Sequence, residues 1–192
     1  MTPSLRAAYA EPQRRYHTLA HIEDCLARLA AVTDLSDRAV SDRDRAILTA
    51  ALWWHDAVYD PTRGDNEALS AEMAARDLPA LGYAPEDVAE VERLILLTKG
   101  HQVPEGDPLG ALMVSIDLSI LGAEPEAYDA YAQAIREEYA HVPEDVYRFG
   151  RARVLQHFLE ASTLFPDPGF AARFDKTARA NLSREIAALT AA

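Results

Sequence analysis

Apolar residues recur every three to four positions along most of the chain, a spacing that gathers them on one side of a 3.6-residue helix. This periodicity predicts helices at about 3–10, 17–32, 41–57, 65–80, 85–99, 108–121, 124–140, 143–162 and 168–190. The two-residue alternation of a half-buried strand is absent. Helix-start chemistry supports several boundaries: Ser41 precedes Asp42-Arg43-Asp44, Asp65 precedes Asn66-Glu67, and Pro85, Pro125 and Pro143 each precede an acidic first turn. Proline and glycine interrupt the pattern at residues 59–64, 100–108 and 165–169, which read as loops. With no internal repeat or low-complexity linker, the expected fold is all-α, an irregular helical bundle.

Polar residues on otherwise apolar faces carry the chemistry. In the run Ala46-Ile47-Leu48-Thr49-Ala50-Ala51-Leu52-Trp53-Trp54, His55 falls on the face of Leu48, Ala51 and Leu52, so His55 and Asp56 are carried toward the interior together. Asp117 projects between Met113, Ile120 and Leu121. A buried carboxylate is costly unless it is neutralised, paired or bound to a cation, so Asp117 needs a partner. The helix at 17–32 reads differently. Its apolar stripe is Leu19, Ile22, Leu26 and Leu29, and His17 and His21, four residues apart, project away from it with Asp24 and Arg28. That face is either solvated or lines a cleft against the segments bearing His55-Asp56 and Asp117. In the second case His21, His55, Asp56 and Asp117 make one divalent-metal site from three helices. Two imidazoles with two carboxylates suit Mn²⁺, Fe²⁺, Co²⁺, Ni²⁺ or Zn²⁺, with Mg²⁺ admissible but less suited to imidazole. If the four fill an octahedron in part, positions remain for water and a phosphate oxygen.

Composition narrows the class. At 192 residues, 49% hydrophobic and 26% charged, the chain can bury one substantial core and is expected to form one domain over 1–192. The single cysteine, Cys25, rules out an internal disulfide framework and reads as a small packing residue. No run approaches the roughly 20 apolar residues that span a bilayer, so no membrane partner and a cytoplasmic location are expected. A formal net charge of −12, with Lys and Arg scattered, disfavours long nucleic acid. A small phosphorylated partner remains compatible, because a metal and a few local cations can overcome the global field. Oligomeric state is not legible.

Several segments together carry a family resemblance. They are Tyr16-His17-Thr18-Leu19-Ala20-His21, Ala51-Leu52-Trp53-Trp54-His55-Asp56-Ala57-Val58-Tyr59-Asp60, Asn66-Glu67 with Ser70-Ala71, Thr98-Lys99-Gly100-His101, Asp117-Leu118-Ser119-Ile120-Leu121-Gly122 and Ile135-Arg136-Glu137-Glu138-Tyr139. Their ordered pattern resembles the HD superfamily of metal-dependent phosphohydrolases, in particular a bacterial group of predicted HD-superfamily phosphohydrolases, over nearly the whole chain. The resemblance implies an all-α bundle of the HD-domain/phosphodiesterase-like type and hydrolysis of small phosphomonoesters or phosphodiesters, nucleotides foremost, by metal-activated water. The Tyr-His-x-x-x-His element is similar to the opening of cyclic-nucleotide phosphodiesterase domains, which implies His17 as leaving-group acid and His21 as metal ligand. The later phosphodiesterase histidines have no clear counterpart.

The remaining candidates have bland readings beside functional ones. His17 either protonates the departing alkoxide or supports a ligand. Asp60 and Glu67 either orient the water or serve as surface and capping groups. Lys99 and His101, with Arg136 and Arg151 behind them, are candidate phosphate donors. Against this, Lys99 suits a helix C-terminus and Arg136 suits a neighbouring Glu. Tyr128, Tyr131, Tyr139 and Tyr147 have packing spacing, and His141 and His157 read as structural or exposed. Two other functions stay open: an HD-type iron oxygenase, which needs further ligands, and a non-catalytic nucleotide-binding or signalling module.

Overall fold

The helical periodicity is realised along the chain. The computed structural model describes residues 3–36 and 39–191, and among these there is no β-strand. The α-helices are α1 (Pro3–Ala8), α2 (Leu19–Ala30), α3 (Val32–Ser36), α4 (Asp42–Trp54), α5 (Asn66–Asp77), α6 (Pro85–Leu97), α7 (Pro108–Asp117), α8 (Pro125–Glu138), α9 (Glu144–Glu160) and α10 (Pro168–Thr190). Short 3₁₀ turns at Leu78–Leu81 and Leu118–Gly122 continue α5 and α7. None of the helices described is long and apolar enough to cross a membrane.

Helices α2, α4 and α7 pack on one another, and this junction holds the polar cluster. Ile22 of α2, Leu48 and Leu52 of α4, and Met113 and Ile116 of α7 are fully buried around it. Helices α5 and α6 close one flank against α4, while α10 packs along α9 and beneath Leu118–Gly122. The last contact is close: a Cβ on Gly122 would fall 2.6 Å from Phe174 Cβ, so the segment just after Asp117 is seated directly on α10. Burying a leucine such as Leu52 stabilises the fold by about 2–3 kcal/mol, and truncation to alanine in such a core costs about 2–5 kcal/mol.

Local chemistry explains where the observed boundaries depart from the periodicity. Helix α2 starts at Leu19 rather than near residue 17, because the Glu138 carboxylate accepts the backbone N–H groups of Arg15, Tyr16 and His17 and holds that stretch as a turn. Helix α3 forms separately after a break at Ala31. Ser41 caps α4 by accepting the Asp44 N–H at 3.1 Å. Asp65 does not cap α5; its carboxylate pairs with Arg63 at 2.8 Å instead. The buried Asp167 caps α10 by accepting from Gly169 and Phe170.

Candidate metal centre

The four residues expected to share a metal converge. His21 Nε2 lies 3.2 Å from His55 Nε2, 3.3 Å from Asp117 Oδ1 and 3.7 Å from Asp56 Oδ2. His55 Nε2 lies 3.0 Å from Asp56 Oδ2 and 3.5 Å from Asp117 Oδ1. Donors about 2.1 Å from one ion at tetrahedral to octahedral angles are separated by about 3.0–3.4 Å; the 3.0, 3.2 and 3.3 Å separations fall in that range, and the 3.5 and 3.7 Å ones need the side chains to close in slightly on a shared cation. Both imidazoles are buried. His55 Nδ1 sits 2.9 Å from the Leu52 carbonyl oxygen, and donation there leaves the lone pair of a neutral ring at Nε2, facing the cluster.

Electrostatics agree with the donor chemistry. Burial opposes charging of His55, but Asp56 and Asp117 outweigh it and raise its pKa well above the ordinary histidine value. Burial likewise opposes ionisation of both carboxylates, yet the imidazoles hold them below the usual range, His55 foremost for Asp56 and the His101 hydrogen bond foremost for Asp117. The carboxylates are thus held ionised beside the imidazoles, and a divalent cation would be met by the same negative charge.

Two sequence expectations at this site are corrected. His21 does not lie on a polar face directed away from the apolar stripe: it is buried with Ile22, Cys25 and Leu29. His17 does not share a helix face with it, because His17 precedes the helix. Cys25 does pack as a small buried side chain, but its Sγ also lies 3.8 Å from both His21 ring nitrogens, and His21, Cys25 and Asp117 form a second group with metal-ligand spacing.

Sequence reasoning missed the residues that hold His17. Glu138, on the last turn of α8 and 5% exposed, takes the three backbone N–H groups on Oε1, while Oε2 lies 2.7 Å from His17 Nδ1 and 2.8 Å from the Tyr59 hydroxyl, which donates to it. Burial opposes ionisation of Glu138, but the His17 hydrogen bond and charge, with the backbone donors, bring its pKa down to about 2. The Tyr59 ring stacks on His17 at 4.0 Å between centroids. Buried Arg14 donates to the carbonyl oxygens of His17, Asp56 and Ala57, tying the turn before α2 to the turn after α4. Glu138 stands within a segment that carried the resemblance, beside the Arg136 that charge alone would single out. Its only signal was a glutamate turned inward at the end of an amphipathic helix.

The other candidates are dispersed. His101 Nε2 lies 3.2 Å from Asp117 Oδ2, nearer the metal ligands than a distal phosphate donor would stand; its φ of 53° turns the chain after α6 so that the ring reaches Asp117. Lys99 lines the same cleft and donates to the Gly64 carbonyl oxygen. Asp60 accepts the Thr62 N–H and hydroxyl within its own loop, and Glu67 lies in the first turn of α5; neither lines this cleft. Arg136 also lies outside it, bonded to Glu144 and to the Tyr139 and Val142 carbonyl oxygens, with its guanidinium over Tyr147. Tyr128 and Tyr147 are buried, whereas Tyr131 and Tyr139 reach the cleft wall.

The cleft, of about 830 Å³, contains His17, His101 and Asp117 in its wall. Lys99, Arg151 and Arg153 also line it, and Asp117 is its one carboxylate. Arg151 is already paired with Glu185, so among these cations Lys99, bonded to the Gly64 carbonyl oxygen, and Arg153 have no carboxylate partner among the described residues. A neighbouring cavity of about 940 Å³ shares His101 and His157 but has the opposite character: Glu105, Asp107, Glu160 and Asp167 line it, with no Lys or Arg. Comparison of the chain with protein-family models, with curated proteins and with solved structures returned no match.

Proposed function

We propose that this chain is a metal-dependent phosphohydrolase of HD-superfamily type that cleaves small phosphomonoesters or phosphodiesters, nucleotides foremost. The observation that carries the reading is a cleft lined by Lys99, Arg151 and Arg153 in a protein with net charge −12, with Asp117 of the two-histidine, two-aspartate cluster in its wall. Such a cleft concentrates an anion beside a site able to hold a positive ion. His21, His55, Asp56 and Asp117 would hold the divalent metal. Once bound, it would supply Lewis acidity, lowering the pKa of water and drawing charge from a phosphoryl oxygen.

The chain's own groups supply the rest. His17, held through Nδ1 by Glu138, keeps Nε2 free to give a proton to the departing oxygen. Lys99 holds a phosphate oxygen at the cleft wall. The bond broken is phosphorus to ester oxygen, water provides the new oxygen, and the His17 proton ends on the alcohol.

A second reading has one observation in its favour. His101 beside the outer oxygen of Asp117 supplies a further nitrogen donor, as an HD-type iron oxygenase would need. The test is a screen of protein loaded with Mn²⁺, Fe²⁺, Co²⁺, Ni²⁺, Zn²⁺ or Mg²⁺ against mononucleotides, cyclic nucleotides and generic phosphoesters. Metal-dependent phosphate or alcohol release, reduced at least about 10²-fold in Asp56→Ala, is the expected result. Saturable binding without product under every metal would reassign the chain as a binding module, and two irons per chain with oxygen consumption would reassign it as an oxygenase.

A further inference from the structure

The cleft that receives the phosphate is apolar along its other side, and that side is exposed. Phe149 on α9 is 68% exposed and Val154 is 50% exposed, and both line the cleft with Ile120, Ile135 and Phe158. These side chains give one wall of the cleft an apolar strip beside its cations, the mixed lining that a ligand with an apolar end and an anionic end can cover. Arg153 stands in the same wall one turn along, its guanidinium carbon 5.8 Å from the Phe149 ring centroid. Among the described residues Arg153 has no carboxylate partner and no hydrogen bond, unlike Arg151, which is held by Glu185 and Tyr131. The guanidinium lies over one face of the ring, and neither group has another polar or aromatic partner among the described residues, so their outward faces together offer a planar group a surface to stack on.

Resting on the phosphohydrolase reading, we infer that the preferred phosphoester carries a planar aromatic group on its alcohol, stacked on Phe149 and Arg153 while the phosphoryl end faces His17 and Asp117. The apolar wall excludes a bare polar alcohol from gaining the same contact. The neighbouring acidic cavity is unsuited to the phosphate end, which fixes the orientation: anion toward His17, Lys99 and Asp117, ring toward Phe149 and Arg153 on α9.

Non-hydrolysable probes separate this inference from the activity. Titration of metal-loaded protein with 1-naphthylphosphonate and methylphosphonate by calorimetry should give at least about tenfold tighter binding of the aromatic ligand. Phe149→Ala should erase that preference and leave methylphosphonate affinity unchanged; the side chain is mostly solvated, so folding is spared, and Phe149→Trp should restore the preference. Equal affinities in the parent protein, or an equal loss for both ligands in Phe149→Ala, would overturn the inference. If discrimination holds but no phosphoester is turned over, the aromatic subsite stands and the hydrolase reading falls. If phosphoesters are hydrolysed without aromatic preference, the subsite falls alone.

Discussion

Glu138 meets five donors, four in the histidine turn and the fifth the Tyr59 hydroxyl, more than a glutamate needs to stay ionised. Its carboxyl, ordinarily near 4.5 and here about 2, is depressed by folding. The sign follows from linkage: a lowered folded-state pKa stabilises the protein above the unfolded value and ceases to do so as pH falls through the folded one. The contribution is of order 3 kcal/mol, present above about pH 4.5 and largely gone near pH 2. Urea unfolding of the parent protein and Glu138→Gln should therefore differ most at neutral pH and converge in acid. A gap independent of pH would mean that the carboxylate charge is not the source. His17→Ala makes a separate prediction: metal is retained, and rate falls more for an alkyl ester than for an activated aryl phosphate, whose leaving group needs less protonation. Equal losses would assign His17 to positioning alone. This His17–Glu138 pairing could not be read from sequence, because the partners lie 121 residues apart.

At the scale of elements, periodicity located most helices within a turn of their observed ends, α10 among them at both ends. It failed where long-range hydrogen bonds override local preference. The turn at residues 15–17 is held by a carboxylate from α8, so the apparent helix beginning at His17 starts two residues later, and the projection made for His21 pointed the wrong way. Asp117 and His55 were legible because each sits at the end of a strongly apolar helix whose register fixes its direction. Capping shows the same division. Ser41 announces itself by the acidic turn that follows, whereas Asp167 hides in a Pro-Asp-Pro-Gly loop, yet it is buried and serves three elements. It caps α10, accepts from Ser36 Oγ at the end of α3, and its N–H donates to Ser115 Oγ on α7. Asp167→Ala should lower stability by about 2 kcal/mol in thermal or urea unfolding, from the lost cap and the orphaned hydroxyl. A change below about 0.5 kcal/mol would show that water replaces the carboxylate freely.

For the whole molecule, excess negative charge and a locally cationic cleft together set the size of the partner. A polymer would meet the net negative charge of the chain and the acidic cavity beside the cleft, whereas a small phosphoester need only enter the cleft. Mononucleotides should therefore outcompete long single- or double-stranded nucleic acid at matched phosphate concentration. Tight polymer binding with a steep salt slope would point to a nuclease instead. The all-α class was legible from the apolar pattern, and so was the inward placement of His55, Asp56 and Asp117, whereas His21 joined them only in combination with the other segments. The cleft was not, since its walls come from α7, α8, α9 and the turns between helices, which only tertiary packing brings together. The account depends most on His21, His55, Asp56 and Asp117 sharing a cation. Elemental analysis after metal loading and dialysis, on the parent protein and on His55→Ala, Asp117→Ala and His17→Ala variants with helical content checked by circular dichroism, tests it directly. Bound divalent metal should be lost from the first two variants and kept by the third; full occupancy in His55→Ala or Asp117→Ala would contradict the shared site.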